Sequence, residues 1–164
     1  QYLIEALPRL RTPRRCELTI VGAAEQFREY REELERLAVR LGVGERVRWC
    51  GYVSYGPEMF AHLRSADLLV LPTLSEGTPR VLVEARANSL PVVATNVGGI
   101  PTSVTDGVDG LLVPPKDPAA LAGAIDRVLD DGELRRALIR DGLQTARRLT
   151  VDRFVDFVAG ILES

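Results

Sequence analysis

The 164 residues carry 21 Lys plus Arg against 23 Asp plus Glu, a formal net charge of −2, with 46% hydrophobic and 27% charged residues. These values exclude a strongly basic nucleic-acid binder and a disordered, collagen-like or coiled-coil chain, and the length suits one domain that buries a core without metal or disulfide staples. No apolar run approaches the roughly 18 residues that a membrane helix needs, and the opening residues lack the apolar core of a signal peptide. Cys16, Cys50 and the single His62 are too few for a disulfide framework or a His-rich metal site, so the expected state is a soluble, reduced, intracellular chain with both thiols packed.

Leu3, Ile4, Ala6, Leu7 and Leu10 recur at helical spacing, so the sequence opens within a helix. Glu17 to Val21 is a short apolar run stopped by Gly22 and predicts a buried strand. From Glu25 to Leu41, Phe27, Tyr30, Leu34, Leu37, Ala38 and Leu41 line one stripe of a helix that Gly42 ends. Arg46 to Cys50 alternates up to Gly51, with Trp49 inward beside Val47. A short helix over Pro57 to Arg64 then leads to Asp67–Leu71, which is apolar on both faces as a central parallel strand is.

A helix over Pro79 to Asn88 with Pro79 at its first position, a strand at Val92 to Thr95, the loop Asn96 to Pro101 and a strand at Leu111 to Val113 follow. Asp117 caps a helix that begins at Pro118 and turns Leu121, Ala124, Ile125, Val128 and Leu129 inward. Two more helices complete the chain, the last after Thr150 with Phe154, Phe157, Val158 and Ile161 on one stripe. Strands alternating with helices predict an α/β fold, a Rossmann-like open parallel sheet of about five strands with helices on both faces. Ligands of such sheets bind beyond the carboxyl ends of the strands, where the strand order reverses. The search therefore narrows to the loops after Val21, Cys50, Pro72 and Thr95.

The loop after Pro72 reads Leu74-Ser-Glu-Gly-Thr-Pro-Arg-Val-Leu-Val-Glu-Ala85. A helix opening at Pro79 leaves the first backbone N–H groups, including that of Arg80, without intrahelical partners, and such a terminus attracts phosphate. Gly77 permits close approach to the backbone, and Arg80 adds a fixed charge with bidentate donors. Glu84 lies five residues on from Pro79, roughly 7.5 Å along the axis, about the distance from a diphosphate to the ribose hydroxyls of the same nucleotide. Glu76 faces whatever the diphosphate carries. The same residues also fit a plainer pattern, an i,i+4 surface ion pair of Arg80 with Glu84 and an acidic residue drawn to a helix N-terminus. Spacing alone leaves both open.

The run from Asp67 to Pro101, with Asp106 to Ile125 after it, closely resembles the C-terminal donor-binding domain of the retaining glycosyltransferases of family 4, the glycosyl transferases group 1, which have the GT-B architecture. Glu76 and Glu84 match that family's pair of glutamates separated by seven residues, and Ile4–Leu7, Leu18–Gly22 and Val47–Val53 extend the likeness over nearly the whole chain. The resemblance implies a nucleotide-activated sugar between two Rossmann-like domains, and a hexosyl group passed with retention from a nucleoside diphosphate sugar to an acceptor hydroxyl. By position, Glu84 holds the ribose, Gly77, Thr78, Pro79, Arg80 and Val81 hold the diphosphate, Tyr52 and Val53 lie beside the base, and Glu76 is the catalytic residue on the donor sugar. No cofactor and no metal are implied. The acceptor, a glycan, lipid or small molecule, is expected on an N-terminal domain outside these residues, without nucleic acid or a transmembrane segment. The implied location is cytoplasmic, or peripheral at the inner membrane face through that other domain.

The sequence departs from the family's pattern in places. The domain's usual first strand and its Gly-Arg-Leu and Lys-Gly motifs, which neutralise the diphosphate, are not in this sequence, so residues 1–164 are expected to form a single domain short of its first strand and inactive alone. Pro79 stands where Gly is common, Thr78 where an aromatic is, Ser89 where a Gly ends the helix, and Thr102 where a Glu is usual. A Ser89 with positive φ is strained by about 1 kcal/mol. The absent strand belongs between Glu17–Val21 and Asp67–Leu71. Either those two strands close up, or another polypeptide fills the slot, or the fold is marginal; a continuous six-strand sheet would contradict the resemblance at its N-terminus.

Two other functions compete with the transferase domain. One is a non-catalytic GT-B half that completes its cleft with a partner; the other is phosphorolysis or epimerisation, disfavoured because the only lysine, Lys116, follows the last strand in a loop. His62 reads as structural or solvent-facing, and Trp49 reads as core. Gly98-Gly99 serves either the close approach of a ligand or the turn alone.

Overall fold

In a computed structural model, residues 1–22 and 27–149 are described. Their elements follow the predicted alternation: α1 (Tyr2–Ala6, continued by a 3-10 turn at Leu7–Arg9), β1 (Leu18–Val21), α2 (Arg28–Arg40), β2 (Val47–Gly51), α3 (Pro57–Ser65), β3 (Leu69–Leu71), α4 (Arg80–Ala87), β4 (Val92–Thr95), α5 (Ile100–Ser103), β5 (Leu111–Val113), α6 (Pro118–Asp130) and α7 (Gly132–Arg148). Local chemistry sets several boundaries. Gly42, at φ +68°, ends α2 in a turn where its own N–H and that of Val43 bond the carbonyls of Val39 and Ala38. Asp117 accepts from the Ala120 N–H at 2.8 Å and so caps α6, as expected. The final stripe of Phe154, Phe157, Val158 and Ile161 lies outside the described residues.

All strand pairs are parallel, but the five strands form two sheets rather than one. β1 pairs with β2, Leu18 opposite Val47, while β3, β4 and β5 run side by side with Val70 opposite Val93 and Val93 opposite Leu111. Among the described residues neither β1 nor β3 has a second strand partner, so the two do not close up. Within the described residues Asp67–Leu71 is thus an edge rather than a central strand, and the two open edges flank the slot that the resemblance assigns to the absent strand. Val70 enters one apolar cluster with α1 and α6, while Leu69 and Leu71 enter another with α4. A strand apolar on both faces thus reports helices above and below it, not strands at both edges. β4 is buried at every position, whereas all of β3 and β1 is only half-buried.

One core face unites Ala6, Val93, Leu111, Val113, Leu121, Val128 and Leu138, and the other unites Leu82, Ala85, Leu90, Val92, Ala94 and Ile100. A third cluster of Ile4, Leu7, Ala38 and Val43 covers Leu18, Ile20, Val47 and Trp49. α1 joins them: Ala6 packs in the first cluster, Ile4 and Leu7 in the third, and Leu10 touches both. Beyond it, the backbone N–H groups of Arg11 and Thr12 donate to the Asp126 carboxylate of α6 at 2.9 to 3.1 Å.

Only the middle of the predicted α2 stripe is covered. Leu34, Leu37 and Ala38 pack on the third cluster, but Phe27, Tyr30 and Leu41, toward the two ends of the stripe, are exposed; β1 and β2, of four and five residues, are shorter than the 13-residue helix. Trp49 packs as core, with the Arg31 guanidinium 5.5 Å from its ring centre.

Leu121, 1% exposed at the centre of the first cluster, should lose about 2–5 kcal/mol of unfolding free energy on truncation to Ala, measured by urea titration. Val39→Ala on the exposed side of α2 should stay within about 0.5 kcal/mol.

Candidate functional site

The loop from Pro72 to Pro79 leaves the carboxyl end of β3 and is shaped by backbone contacts. The buried Thr95 hydroxyl at the end of β4 donates to the Thr73 carbonyl at 2.5 Å, and the Thr73 hydroxyl donates to the Ser75 carbonyl at 2.9 Å. The Gly99 N–H donates to the Glu76 carbonyl at 3.1 Å. Gly98 has φ +53°; a Cβ there would collide with the Glu76 carbonyl oxygen, and one at Gly99 would collide with the Gly77 carbonyl oxygen. The close approach that the glycine pair allows is therefore to the chain's own loop. Thr102, whose hydroxyl donates to the Gly99 carbonyl at 2.8 Å, braces the same turn.

Pro79 takes the N-cap position at φ −72°, ψ 113°, one residue earlier in the helix frame than expected, and Arg80 opens α4. The shift has a simple cause: the extended ψ of Pro79 carries the chain from the loop into the helix. As a cap Pro79 has no side-chain acceptor, so the N–H groups of Arg80 and Val81 have no capping partner, although that of Leu82 bonds the Pro79 carbonyl at 3.2 Å, and the terminus keeps its partial positive charge. Ser89, at φ 58°, ends the segment after α4 in the left-handed region, as the likeness to a Gly position implied.

Arg80 and Glu84 do form the i,i+4 pair, Arg80 Nη2 to Glu84 Oε1 at 3.4 Å. The two are unequally placed: the Arg80 side chain is 77% exposed and that of Glu84 only 18%. An exposed pair of this kind contributes about 0–1 kcal/mol, so an arriving anion can draw Arg80 away and leave Glu84 as a sheltered acceptor on the first turns of the helix. On its other side the Arg80 guanidinium lies 5.2 Å from the ring centre of Tyr55, which meets Phe60 edge-on. Tyr55 was not among the predicted site residues. The Gly56-Pro57 helix start that follows it was readable, but which way its ring turned was not.

The predicted residues fall into one neighbourhood in two groups. Glu76 and Gly77 are fixed against Gly98-Gly99, with Thr78 exposed beside them, while Val81 lies half-buried on the first turn of α4. Tyr52 is exposed and Val53 buried on the segment after β2, and Tyr55 of that segment links it to Arg80. His62 is half-buried on α3, and among the described residues no group of three His, Cys, Asp or Glu could hold a metal. A surface hollow of about 630 Å³ lies elsewhere, between Arg9, Arg11, Ala119, Ala122, Gly123 and Asp126, and shares no residue with this neighbourhood.

Residues 1–131 match the family of glycosyl transferases group 1. The D-inositol 3-phosphate glycosyltransferase of Corynebacterium efficiens is 37% identical over 155 residues, 92% of this chain and 36% of that protein. The uncharacterized glycosyltransferase MJ1607 of Methanocaldococcus jannaschii is 34% identical over 141 residues, 86% of this chain and 35% of that protein. Among solved structures, Alr3699/HepE of Anabaena in complex with UDP superposes with a TM-score of 0.88 at 29% identity, over 99% of this chain and 44% of that one, and a structure of the same protein in complex with UDP-glucose superposes with 0.86. The chain thus spans little more than a third of the length of those two relatives.

One substitution made at two glycines should have opposite signs. Gly98→Ala is expected to destabilise by about 1–3 kcal/mol, from left-handed strain and collision with the Glu76 carbonyl. Gly123→Ala, inside α6 where an added Cβ meets nothing within 4 Å, should stabilise by up to about 1 kcal/mol. Thermal unfolding of both variants checks the pair.

Proposed function

Because the chain belongs to the glycosyl transferases group 1 and has their GT-B type of Rossmann-like fold, we propose that it is the nucleotide-sugar-binding half of a retaining transferase. That enzyme moves a hexosyl group from a nucleoside diphosphate sugar to an acceptor hydroxyl. The carrying observation is the sheltered Glu84 one turn beyond an uncapped helix N-terminus that also bears Arg80. The UDP and UDP-glucose complexes of the Anabaena protein support a donor of this class.

In this reading the N–H groups at the start of α4 and the released Arg80 bind the diphosphate. Glu84 accepts from the two ribose hydroxyls, and the Tyr52–Val53 segment borders the base. Glu76 binds hydroxyls of the donor sugar and polarises the ring. The C–O bond to the diphosphate breaks as the acceptor oxygen approaches on the same face, through an oxocarbenium-like transition state, and a leaving phosphate oxygen takes the acceptor's proton. Catalysis then comes from stabilising the charge that grows on the departing diphosphate and from holding the acceptor in line. No cofactor beyond the donor takes part in this scheme. The acceptor site lies on a further domain, so residues 1–164 alone bind the donor without transferring sugar, and the proposed location is the cytoplasm. Among the described residues no helix is long and apolar enough to cross a membrane.

The same reading accounts for the divided sheet. The Leu69 N–H donates to the Pro91 carbonyl at 3.0 Å, and alternate residues of a parallel strand turn to opposite neighbours, so the N–H and C=O of Val70 face the open edge. An extended segment outside these residues runs parallel between β1 and β3 and pairs with both. In a longer chain carrying that segment the Val70 amide should exchange at least about tenfold more slowly than in residues 1–164; equal exchange in both removes the segment from the slot.

Calorimetric titration with UDP should show weak binding that Glu84→Ala reduces at least about tenfold, equivalent to 1.4 kcal/mol. The parent should lose a similar factor for 2′-deoxy-UDP, and the variant should lose nothing further. An unchanged affinity in Glu84→Ala overturns the ribose assignment, and no binding at all by the parent favours the non-catalytic partner half.

A further inference from the structure

Arg86 stands two residues beyond Glu84 on α4, and its side chain is 0% exposed. Four of its five N–H groups have partners: Nε donates to the Leu82 carbonyl at 3.0 Å, Nη1 to the Ser103 carbonyl and to Asp109 Oδ2, each at 2.8 Å, and Nη2 to the Ser103 hydroxyl at 3.3 Å. The other Asp109 oxygen accepts from the Thr105 N–H at 2.7 Å. The aliphatic stem of Arg86 rests on Gly142 of α7, where an added Cβ would lie 3.1 Å from Cγ. Burial pushes the guanidinium down from its ordinary value, against the charge and hydrogen bond of Asp109.

Fold stability alone does not call for such a pair, since well-packed apolar residues in its place are commonly neutral or stabilising. What the pair does is geometric. Ser103 is the last residue of the four-residue helix α5, and Gly99, at its other end, bonds Glu76 and packs under Gly77. Arg86 on α4 thereby reaches back through α5 to the loop that precedes α4. The path closes a ring through Arg86, Ser103, Gly99, Glu76 and the α4 N-terminus.

We infer that Arg86, with Asp109, is a positioning residue that fixes the Glu76–Gly77 backbone relative to Glu84 by holding α5 and its Gly98-Gly99 turn. The consequence for the donor sugar rests on the proposed function; the effect on the loop does not.

The test replaces the pair by apolar residues, Arg86→Met with Asp109→Leu, and follows amide exchange by NMR. Gly99 exchange should accelerate at least about tenfold relative to the β4 amides. Leu121→Ala, which weakens the whole core and so accelerates the β4 amides, should not raise that ratio. Should the double variant not fold, Arg86→Lys, which keeps a charge for Asp109 but loses the fork to Ser103, should accelerate Gly99 by a smaller factor. A Gly99 ratio equal to the parent's in whichever of these variants fold overturns the inference. A second readout uses donor binding. Glu76→Gln should lower the affinity for UDP-glucose relative to UDP in the parent and have no such effect in the double variant. If the parent binds neither nucleotide, the proposed function fails while the exchange ratio still decides the role of Arg86.

Discussion

The packing of α1 is the constraint on which the rest of the molecule depends. With no hydrogen-bonded ladder between β1 and β3, the apolar side chains of one short helix and Leu10 reach both cores, Ala6 on the β4 side and Ile4 and Leu7 on the β1 side. A ladder sets both spacing and register, whereas apolar contact is non-directional and scales with area. Polar ties supply part of the missing direction. Arg46 donates to the Leu7 carbonyl from one side, and Asp126 accepts the N–H groups of Arg11 and Thr12 from the other. The segment 7–12 is thus held at both flanks.

The site sits on the sheet that contains the fully buried strand. β4, buried throughout, carries Thr95 at its carboxyl end, and Thr95 fixes the loop after β3. A position for Glu76 therefore derives from the middle of a sheet rather than from the loop's own sequence. Electrostatically the site is lean: one uncapped terminus and one exposed Arg, whose partners Tyr55 and Glu84 hold it ready beside the terminus without burying it. The exposed charge retains its hydration, which keeps its release from Glu84 inexpensive.

Local chemistry was legible where one or two residues decide the outcome. Asp117-Pro118 and Gly42 each have a backbone geometry that few other residues satisfy so well, and each appears as read, while Ser89 takes the left-handed φ of the Gly it replaces at a cost in strain. The spacing of Glu76 and Glu84 was equally plain, because a helix start after Pro79 needs no tertiary information. The open edge of β3 was legible only through the family resemblance, which puts an absent strand beside it; hydrophobicity reports what lies above and below a strand and is silent about its neighbours in the sheet. The exposed end of the α2 stripe has the same origin, since periodicity states which face is apolar but not how wide a surface awaits it. Arg86 and Asp109 lie 23 positions apart in segments that read as an ordinary helix and a turn. Nothing in either segment shows that they meet.

The tie between Arg11 and Asp126 spans 115 positions. A chain made from its N-terminus gives Ile4 and Leu7 their partners in α2 and β2 early, within the first half of these residues. Ala6 waits for α6. At about 5–20 residues per second that interval is on the order of ten seconds, during which one flank of α1 is apolar and uncovered. The order of synthesis thus splits the making of this domain along the same line that divides its sheet.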